Sequence, residues 1–331
     1  MRRQAWGPGE LLETSGAYWK SCTLHAAVKL DLFSRLGDAS LQAEEIAGLV
    51  RGSARGVGSL LNALSAMGLL LKAGDRYRAS EAARKWLARD SDSYLGHILL
   101  HHHHLVDSWG RLDEAVLSGQ PVRGRPSVSS EEWRESFLMG MFNMAMAAAP
   151  RVVAALDLSS RRRLLDLGGG PGTYAIHFCR ANPRLRASVF DLPATRPFAE
   201  KTIDRFQMRE RVEFAPGDYH LDPIPGRFDV AWLSHILHAE GPEESLALIR
   251  KASAALEPGG MVAIHEFILD DTKDGPLFPA LFALNMLLGT PAGRAYSGHE
   301  LAAMLREAGA IRCRRLPLEM PNDSGIVVGE F

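Results

Sequence analysis

The stretch Leu164-Leu165-Asp166-Leu167-Gly168-Gly169-Gly170-Pro171-Gly172-Thr173-Tyr174 decides the fold of this 331-residue chain. Its apolar start predicts a strand, its glycines predict a tight loop, and the residues from Thr173 onward follow a helical pattern. A strand, a glycine loop and a helix in this order open an α/β unit, in which ligands bind at the carboxyl end of the strand. Because glycine has no side chain, the backbone of this loop can approach a ligand closely.

The sequence after this stretch alternates between apolar runs and helical patterns. Strands are predicted at 164–167, 187–190, 212–214, 228–232 and 261–265, and helices at 173–181, 195–206, 242–256 and 298–308. This alternation predicts a parallel sheet with helices on both faces. Two further extended runs, 311–317 and 325–331, flank Pro321-Asn322-Asp323 and predict a terminal antiparallel hairpin.

The sequence before residue 158 predicts a mainly helical domain. Helical spacing covers 18–36, 41–49 and 54–67, and extended runs at 69–72 and 76–78 then flank a Gly-Asp turn. Three helices followed by a hairpin form a winged-helix pattern. Longer helices are predicted at 93–117 and 129–156. We therefore expect residues 1–157 to form a helical domain with connecting helices, and residues 158–331 to form the ligand-binding domain.

The composition argues against a partner that is attracted by the net charge of the chain. Lys and Arg number 38 and Asp and Glu number 39, so no global field draws the chain to nucleic acid or to an anionic membrane. The three cysteines form neither a metal-ligand spacing nor an even disulfide set, and the N-terminus lacks the apolar core of a signal peptide. The most membrane-like stretch, Phe137 to Ala149, is short for a span, which predicts a buried helix. We expect a cytoplasmic protein that binds neither nucleic acid nor membrane.

The residues at the first strand end indicate the chemistry of the ligand. Gly168-x-Gly170 is followed by Thr173 where a dinucleotide-binding loop has its third glycine, so the dinucleotide pattern fails there. Asp166 lies at the end of the strand, immediately before the loop. A carboxylate at this place suits an ammonium or sulfonium group, whereas a phosphate requires backbone N–H groups and cations.

Two further acids follow the next two strands. Asp191, in Phe190-Asp191-Leu192-Pro193, could accept hydrogen bonds from ribose hydroxyls. Asp218 could accept one from an exocyclic amine, and the ring of Tyr219 could lie against a base. Each acid alone is equally typical of an ordinary loop. Three acids at successive strand ends, beside a glycine loop, favour a nucleoside ligand that carries a cationic group.

These residues resemble the class I S-adenosylmethionine-dependent methyltransferases. Nearly the whole chain is similar to the plant-type and bacterial O-methyltransferases that include caffeic acid, acetylserotonin and polyketide O-methyltransferases. The resemblance implies a Rossmann-like seven-stranded sheet, an N-terminal winged-helix-like dimerisation domain and therefore a homodimer. The residues expected to contact S-adenosylmethionine are Asp166, Gly168, Gly170, Asp191, Leu192, Asp218, Tyr219 and Ser234.

The resemblance also implies a catalytic base. His238 occupies the family position of a catalytic histidine, although the Asp-Trp pair that follows it in the family is here Ala239-Glu240. A histidine cannot ionise a phenol beforehand, because the two pKa values are about 6.5 and 10, but it can accept the proton as the oxygen attacks. The alternative is a surface histidine at a helix start.

Glu266 is expected to orient that base. It follows the fifth strand at a family position beside the histidine, where a carboxylate could fix the tautomer of the ring. The second glutamate of the plant members corresponds here to Ala295. Glu266 would therefore act alone, and a phenylpropanoid acceptor is not indicated.

The acceptor pocket is expected to be apolar and adaptable. The family positions that line it hold Phe137, Met141, Asn143, Met144 and Met286, and His235 is expected to face the same cavity. Methionine suits flat apolar molecules, although methionines at helical spacing are equally typical of a core. On a helix, His97, His101 and His104 would share one face. No cysteine or carboxylate pattern supports a metal there, and no metal is predicted.

Two other functions fit parts of the sequence. Relatives of this fold include C-methyltransferases and proteins that bind S-adenosylmethionine without transferring its methyl group. A winged-helix regulator would read DNA with helix 54–67, but Arg55 and Asn62 are its only obvious contacts, and such reading needs more Arg and Lys. The sequence favours methylation of a hydroxyl on a small, aromatic or polyketide-like molecule.

Overall fold

The computed structural model describes residues 6–124 and 130–331. Their contacts divide the chain into two compact units, Met1–Val106 and Asp107–Phe331. This division differs from the expected boundary at 157/158. The reason is packing, because Ala149 and Val152 of the last helix before that boundary, and Leu156 directly after it, lie in the same buried core as the strand residue Leu164.

The first unit combines helices with one small antiparallel sheet. Its elements in chain order are α1 (Pro8–Gly16), α2 (Tyr18–Lys29), α3 (Leu32–Leu36), β1 (Leu41–Gln42), α4 (Ala43–Val50), α5 (Ala54–Ala66), β2 (Leu70–Ala73), β3 (Arg76–Ala79) and α6 (Glu81–Leu87). The strand order is β1-β3-β2, so the predicted hairpin is present as β2 and β3. The predicted helix over 18–36 is divided between α2 and α3, where Asp31 adopts a left-handed φ of 53°.

Three helices precede the large sheet. They are α7 (Gly96–Trp109), which runs across the division between the units, α8 (Leu112–Ser118) and α9 (Glu131–Ala155). The single helix predicted over 93–117 is thus interrupted between α7 and α8. Among the described residues α9 alone is long and apolar enough to cross a membrane, a property that it shares with core helices of soluble proteins. Its second half packs into the core beneath the sheet.

The second unit is built on a seven-stranded sheet with one short additional strand. Its elements are β4 (Arg163–Leu167), α10 (Thr173–Ala181), β5 (Arg186–Asp191), α11 (Arg196–Arg205), β6 (Val212–Pro216), β7 (Phe228–Ser234), α12 (Pro242–Ala254), β8 (Leu256–Leu269), α13 (Leu277–Gly289), β9 (Tyr296–Ser297), α14 (Gly298–Glu307), β10 (Arg312–Arg315) and β11 (Ser324–Glu330). The strand order is β10-β11-β8-β7-β4-β5-β6, with β9 paired to β8. The predicted Rossmann-like fold is confirmed.

The sheet positions the functional loops through its strand order. Strands β4 to β8 are parallel, and only β11 runs antiparallel between β8 and β10. The order reverses between β4 and β7, so the loops after these two strands open a crevice at the carboxyl edge. Alternating side chains fill both faces: Leu164 lies in one core, and Leu165 and Leu167 lie in the other.

Candidate active site

The glycine loop after β4 has a backbone that requires glycine. Gly168, Gly170 and Gly172 adopt φ values of 66°, 54° and 74°, in the left-handed region that side chains disfavour. A Cβ atom on Gly168 would lie 2.7 Å from Cγ2 of Ile236 and 3.4 Å from Cε1 of Tyr219. The ring of Tyr219 therefore lies close to the loop.

Asp166 places an unsatisfied carboxylate oxygen under this loop. The residue is 1% exposed, and its Oδ2 accepts a 3.3 Å hydrogen bond from the backbone N–H of Ala175. Among the described residues Oδ1 has no hydrogen-bond partner. Burial, with a contribution from the nearby Asp191, raises the pKa of Asp166 to about 7. A cationic ligand group would relieve the burial cost of the ionised form.

Asp191 ties the end of β5 to the glycine loop. Its Oδ2 accepts a 2.8 Å hydrogen bond from the backbone N–H of Gly170. Its Oδ1 accepts bonds from the N–H of Leu192 at 2.7 Å and the hydroxyl of Thr195 at 3.0 Å. Burial raises the pKa of Asp191. Since a carboxylate offers about four acceptor positions, these three bonds leave capacity for a ligand hydroxyl.

The other residues expected to contact the ligand lie at the same edge of the sheet. The Asp218 carboxylate accepts a 2.8 Å hydrogen bond from the backbone N–H of His220. The hydroxyl of Ser234 lies 3.0 Å from Nδ1 of His265. His265 is buried, and its Nε2 contacts the hydroxyl of Ser324 at 3.2 Å. The sequence analysis did not assign a role to this buried histidine.

His238 and Glu266 form a hydrogen-bonded pair. Nδ1 of His238 lies 2.7 Å from Oε2 of Glu266, which is 1% exposed. Oε1 of Glu266 accepts the backbone N–H groups of Leu237 at 3.0 Å and of His238 at 3.2 Å. Burial alone would raise the pKa of Glu266, but the two neighbouring histidines hold it well below its usual value. With Nδ1 donating to the carboxylate, Nε2 of His238 carries the lone pair of a base.

His235 lies beside this pair. Its Nδ1 is 3.5 Å from Oε2 of Glu266, and its ring lies 4.3 Å from that of Phe267. Burial lowers the pKa of His235, which favours the neutral ring. The ligand atoms of His235, His238 and Glu266 lie within 4.8 Å of one another, close enough to hold a metal ion. The 2.7 Å contact is nevertheless shorter than the separation of about 3.3 Å expected between two ligands on one tetrahedral zinc, so it favours the hydrogen-bonded pair.

Three phenylalanines that the sequence analysis missed form a wall beside the base. The ring of Phe282 lies 4.7 Å from His238 in an edge-on arrangement, and 4.6 Å from Phe267. Phe278 lies 4.9 Å from Phe267. Phe278, Phe282 and Met286 recur every four residues on α13, so they share one face of the helix. Met286, predicted to line the pocket, therefore lies one turn from the ring that contacts the base.

The predicted pocket residues on α9 share one part of that helix. Phe137, Met141 and Met144 share one helical face at i, i+4 and i+7, and they and Asn143 are half-buried. Cδ2 of the neighbouring Leu138 lies 3.9 Å from the position of a Cβ on Gly170, so this part of α9 approaches the glycine loop.

Comparisons with known proteins identify the family. Residues 109–310 match the family model of an O-methyltransferase domain, and residues 12–89 match that of an O-methyltransferase dimerisation domain. The chain is 34% identical to a 3-hydroxy-5-methyl-1-naphthoate 3-O-methyltransferase of Streptomyces sahachiroi, covering 97% of this chain and 95% of that protein. It is 35% identical to the tetracenomycin polyketide synthesis 8-O-methyl transferase TcmO of Streptomyces glaucescens, covering 97% and 96%.

A solved structure agrees with these relatives. PigF with SAH has a TM-score of 0.91 at 27% identity, over 98% of this chain and 100% of that one. The chain belongs to the S-adenosylmethionine-dependent O-methyltransferases that act on small molecules. The predicted family, enzyme class and cofactor are confirmed, and none of these comparisons favours a DNA-binding regulator or a relative without methyl transfer.

The observed cradle fits S-adenosylmethionine. Oδ1 of Asp166, which has no partner within residues 6–124 and 130–331, suits its cationic methionine part, and the left-handed glycines leave the space that a Cβ would fill. Asp191 retains an acceptor position for the ribose, and the ring of Tyr219 lies beside the loop.

Proposed function

We propose that this enzyme methylates a hydroxyl group on an aromatic, polyketide-like molecule, with His238 as the general base. The observation that carries the proposal is the 2.7 Å contact between His238 and Glu266, at the sheet edge that also carries the glycine loop. The phenylalanine wall beside His238 offers a flat apolar surface for an aromatic ring. The two relatives named above act on a hydroxynaphthoate and in the synthesis of a tetracenomycin polyketide, which supports the same acceptor class.

The geometry suggests the following roles. When bound, S-adenosylmethionine supplies a methyl group that its sulfonium already activates. His238 Nε2 would accept the proton of the acceptor hydroxyl as that oxygen attacks the methyl group that the cofactor would supply. Glu266 holds the required tautomer and stabilises the imidazolium that forms. We assign His235 and Met286 to the acceptor side, together with Phe137, Met141, Asn143 and Met144.

We further propose a cytoplasmic homodimer that forms through the N-terminal unit. The match of residues 12–89 to a dimerisation domain supports this assembly. So do the apolar side chains that α1 and α2 expose, among them Leu12 at 74% and Trp19 at 67%. The three free cysteines agree with a reducing compartment.

Methyl transfer tests the proposal directly. The full chain is incubated with S-adenosylmethionine and with hydroxynaphthoates or polycyclic phenols, and methylated products are detected by mass spectrometry. His238→Gln is the matched control, and its affinity for S-adenosylhomocysteine should stay within twofold of wild type. Transfer to oxygen that persists undiminished in His238→Gln would refute the role of the base.

A further inference from the structure

Arg123 lies across the last turn of α13 and is held there by backbone and side-chain hydrogen bonds. The backbone N–H groups of Val122 and Arg123 donate to the carbonyl of Leu288 at 3.0 and 3.2 Å. From there the side chain runs back along the helix, and Nη2 donates to Oδ1 of Asn285 at 3.1 Å and to its carbonyl at 3.2 Å. The guanidinium passes directly over Gly289, where a Cβ would lie 2.5 Å from Cζ.

The charge of Arg123 has no internal counterpart. Among the described residues no carboxylate lies within ion-pair distance of it, and the ten remaining residues contain no Asp or Glu. Its Nε is shielded from solvent and has no hydrogen-bond partner in the part of the chain that the structure describes. Burial lowers the pKa of Arg123, as expected for a cation without a nearby anion. Keeping a guanidinium half-buried without a carboxylate partner costs stability, and an anion bound beside it would offset that cost.

The charged side chain is not needed to hold the loop against α13. The two backbone N–H groups already attach the loop to Leu288 without any contribution from the side chain. A side chain at position 289 would occupy the space of the guanidinium, and Gly289 leaves that space free. The loop and the helix therefore allow the guanidinium to lie close against the surface of α13.

This cation lies on the helix that carries the acceptor wall. Asn285 and Gly289 follow Phe282 by three and seven residues, which places them on adjoining turns of nearly the same face. At about 1.5 Å of rise per residue, the guanidinium lies roughly 5–10 Å along α13 from the ring that contacts His238. A one- or two-ring aromatic molecule can span that distance.

We propose that Arg123 is the anion-binding residue of the acceptor pocket and that the acceptor is an aromatic hydroxy acid, held by its carboxylate while its hydroxyl lies at His238. This inference rests on the proposed function, because His238 defines where the hydroxyl must be. Because Nη2 donates to Asn285, the carboxylate is bound through Nη1, which otherwise makes a long 3.5 Å contact with the carbonyl of Gly124. This charge-assisted hydrogen bond sets the distance between the carboxylate and His238. Arg123 thereby selects which hydroxyl of a polyhydroxylated ring reaches the base.

The test compares carboxylates with their uncharged amides. Binding of 3-hydroxy-2-naphthoate, 6-hydroxy-2-naphthoate and the two corresponding carboxamides is measured by calorimetry on the full chain saturated with S-adenosylhomocysteine. We expect wild type to bind at least one carboxylate ten-fold or more tightly than its amide. In Arg123→Met this ratio should fall to near one, while the affinity for the amide changes less than twofold.

A second variant keeps Arg123 but displaces its guanidinium. In Gly289→Ala the new methyl group displaces the guanidinium, and we expect the carboxylate preference to fall several-fold without a lower melting temperature. A wild type with no carboxylate preference in either pair, or an Arg123→Met variant that keeps the preference, would overturn the inference. Failure of the proposed function looks different: wild type would keep the carboxylate preference but transfer no methyl group to any probe.

Discussion

The replacement Glu266→Gln should inactivate the base through hydrogen-bond geometry. Both oxygens of Glu266 accept, Oε1 from the N–H groups of Leu237 and His238 and Oε2 from Nδ1 of His238. The amide of Gln has one oxygen, which accepts, and one NH₂ group, which only donates. Its NH₂ group must therefore face a donor that a carboxylate oxygen accepted from. Retaining the two backbone bonds places that NH₂ against Nδ1. The His238 ring then moves its proton to Nε2, and the lone pair that should accept the hydroxyl proton is lost.

Two magnitudes bracket the expected loss of activity. Losing one hydrogen bond to a charged group costs about 1.5–3 kcal/mol, which corresponds to roughly 10- to 150-fold at about 1.4 kcal/mol per factor of ten. Losing general base catalysis costs about 10²- to 10⁴-fold. Since the amide removes the base by switching the tautomer, we expect a decrease in kcat of at least about 100-fold, close to that of His238→Gln.

The assay is steady-state methyl transfer at saturating S-adenosylmethionine, with the best acceptor found by screening. Glu240→Gln is the matched control, because Glu240 is also buried and its Oε1 lies 3.2 Å from a ring nitrogen of His220 rather than His238. It should stay within a few-fold of wild type. A Glu266→Gln enzyme that folds, binds S-adenosylhomocysteine normally and loses less than tenfold in kcat would refute the assigned role.

Three further predictions concern the cofactor edge and are measured by calorimetry with S-adenosylhomocysteine. Asp191→Ala should weaken binding at least tenfold, because it removes a ribose acceptor and frees the N–H of Gly170; unchanged affinity would exclude Asp191 from the site. Gly168→Ala should abolish measurable binding, because its φ of 66° and the 2.7 Å approach to Ile236 leave no room for a methyl group; retained binding would contradict the observed loop. Burial raises the pKa of Asp166 from an ordinary 3.8 to about 7 in the ligand-free protein. The protonated carboxyl therefore stabilises the ligand-free fold at low pH, and this stabilisation is lost as the pH rises through about 7. Binding to the ionised form should therefore strengthen between pH 5 and 7 and release protons, and Asp166→Asn should remove both effects; pH-independent affinity in wild type would refute this coupling.

The glycine loop could be predicted because its constraints are local. Gly168, Gly170 and Gly172 stand where the backbone is left-handed, and Asp191 closes the next strand at the expected distance along the chain. Strand ends of a parallel sheet meet at one edge, so the sequence alone placed these groups together.

The phenylalanine wall could not be predicted in the same way. The helix α13, Leu277–Gly289, is apolar on nearly every face, so no amphipathic period marks it. Phe267 and Phe282 come into contact because the chain folds α13 back against the end of β8, which no local pattern predicts. Arg123 and Asn285 are likewise separated by 162 residues, and such pairs leave no local pattern.

The base and the acceptor contacts are held by different parts of the molecule. Glu266 on β8 fixes His238 through the backbone of the turn after β7, and these strands are paired in the centre of the sheet. Phe282 lies on α13, a separate helix, and its ring packs edge-on against His238. Substitutions on α13 can therefore change which acceptor is bound, while the bonds of Glu266 to the backbone N–H and to Nδ1 still hold His238. If so, variants of Phe282 should alter KM and acceptor preference far more than the affinity for S-adenosylhomocysteine.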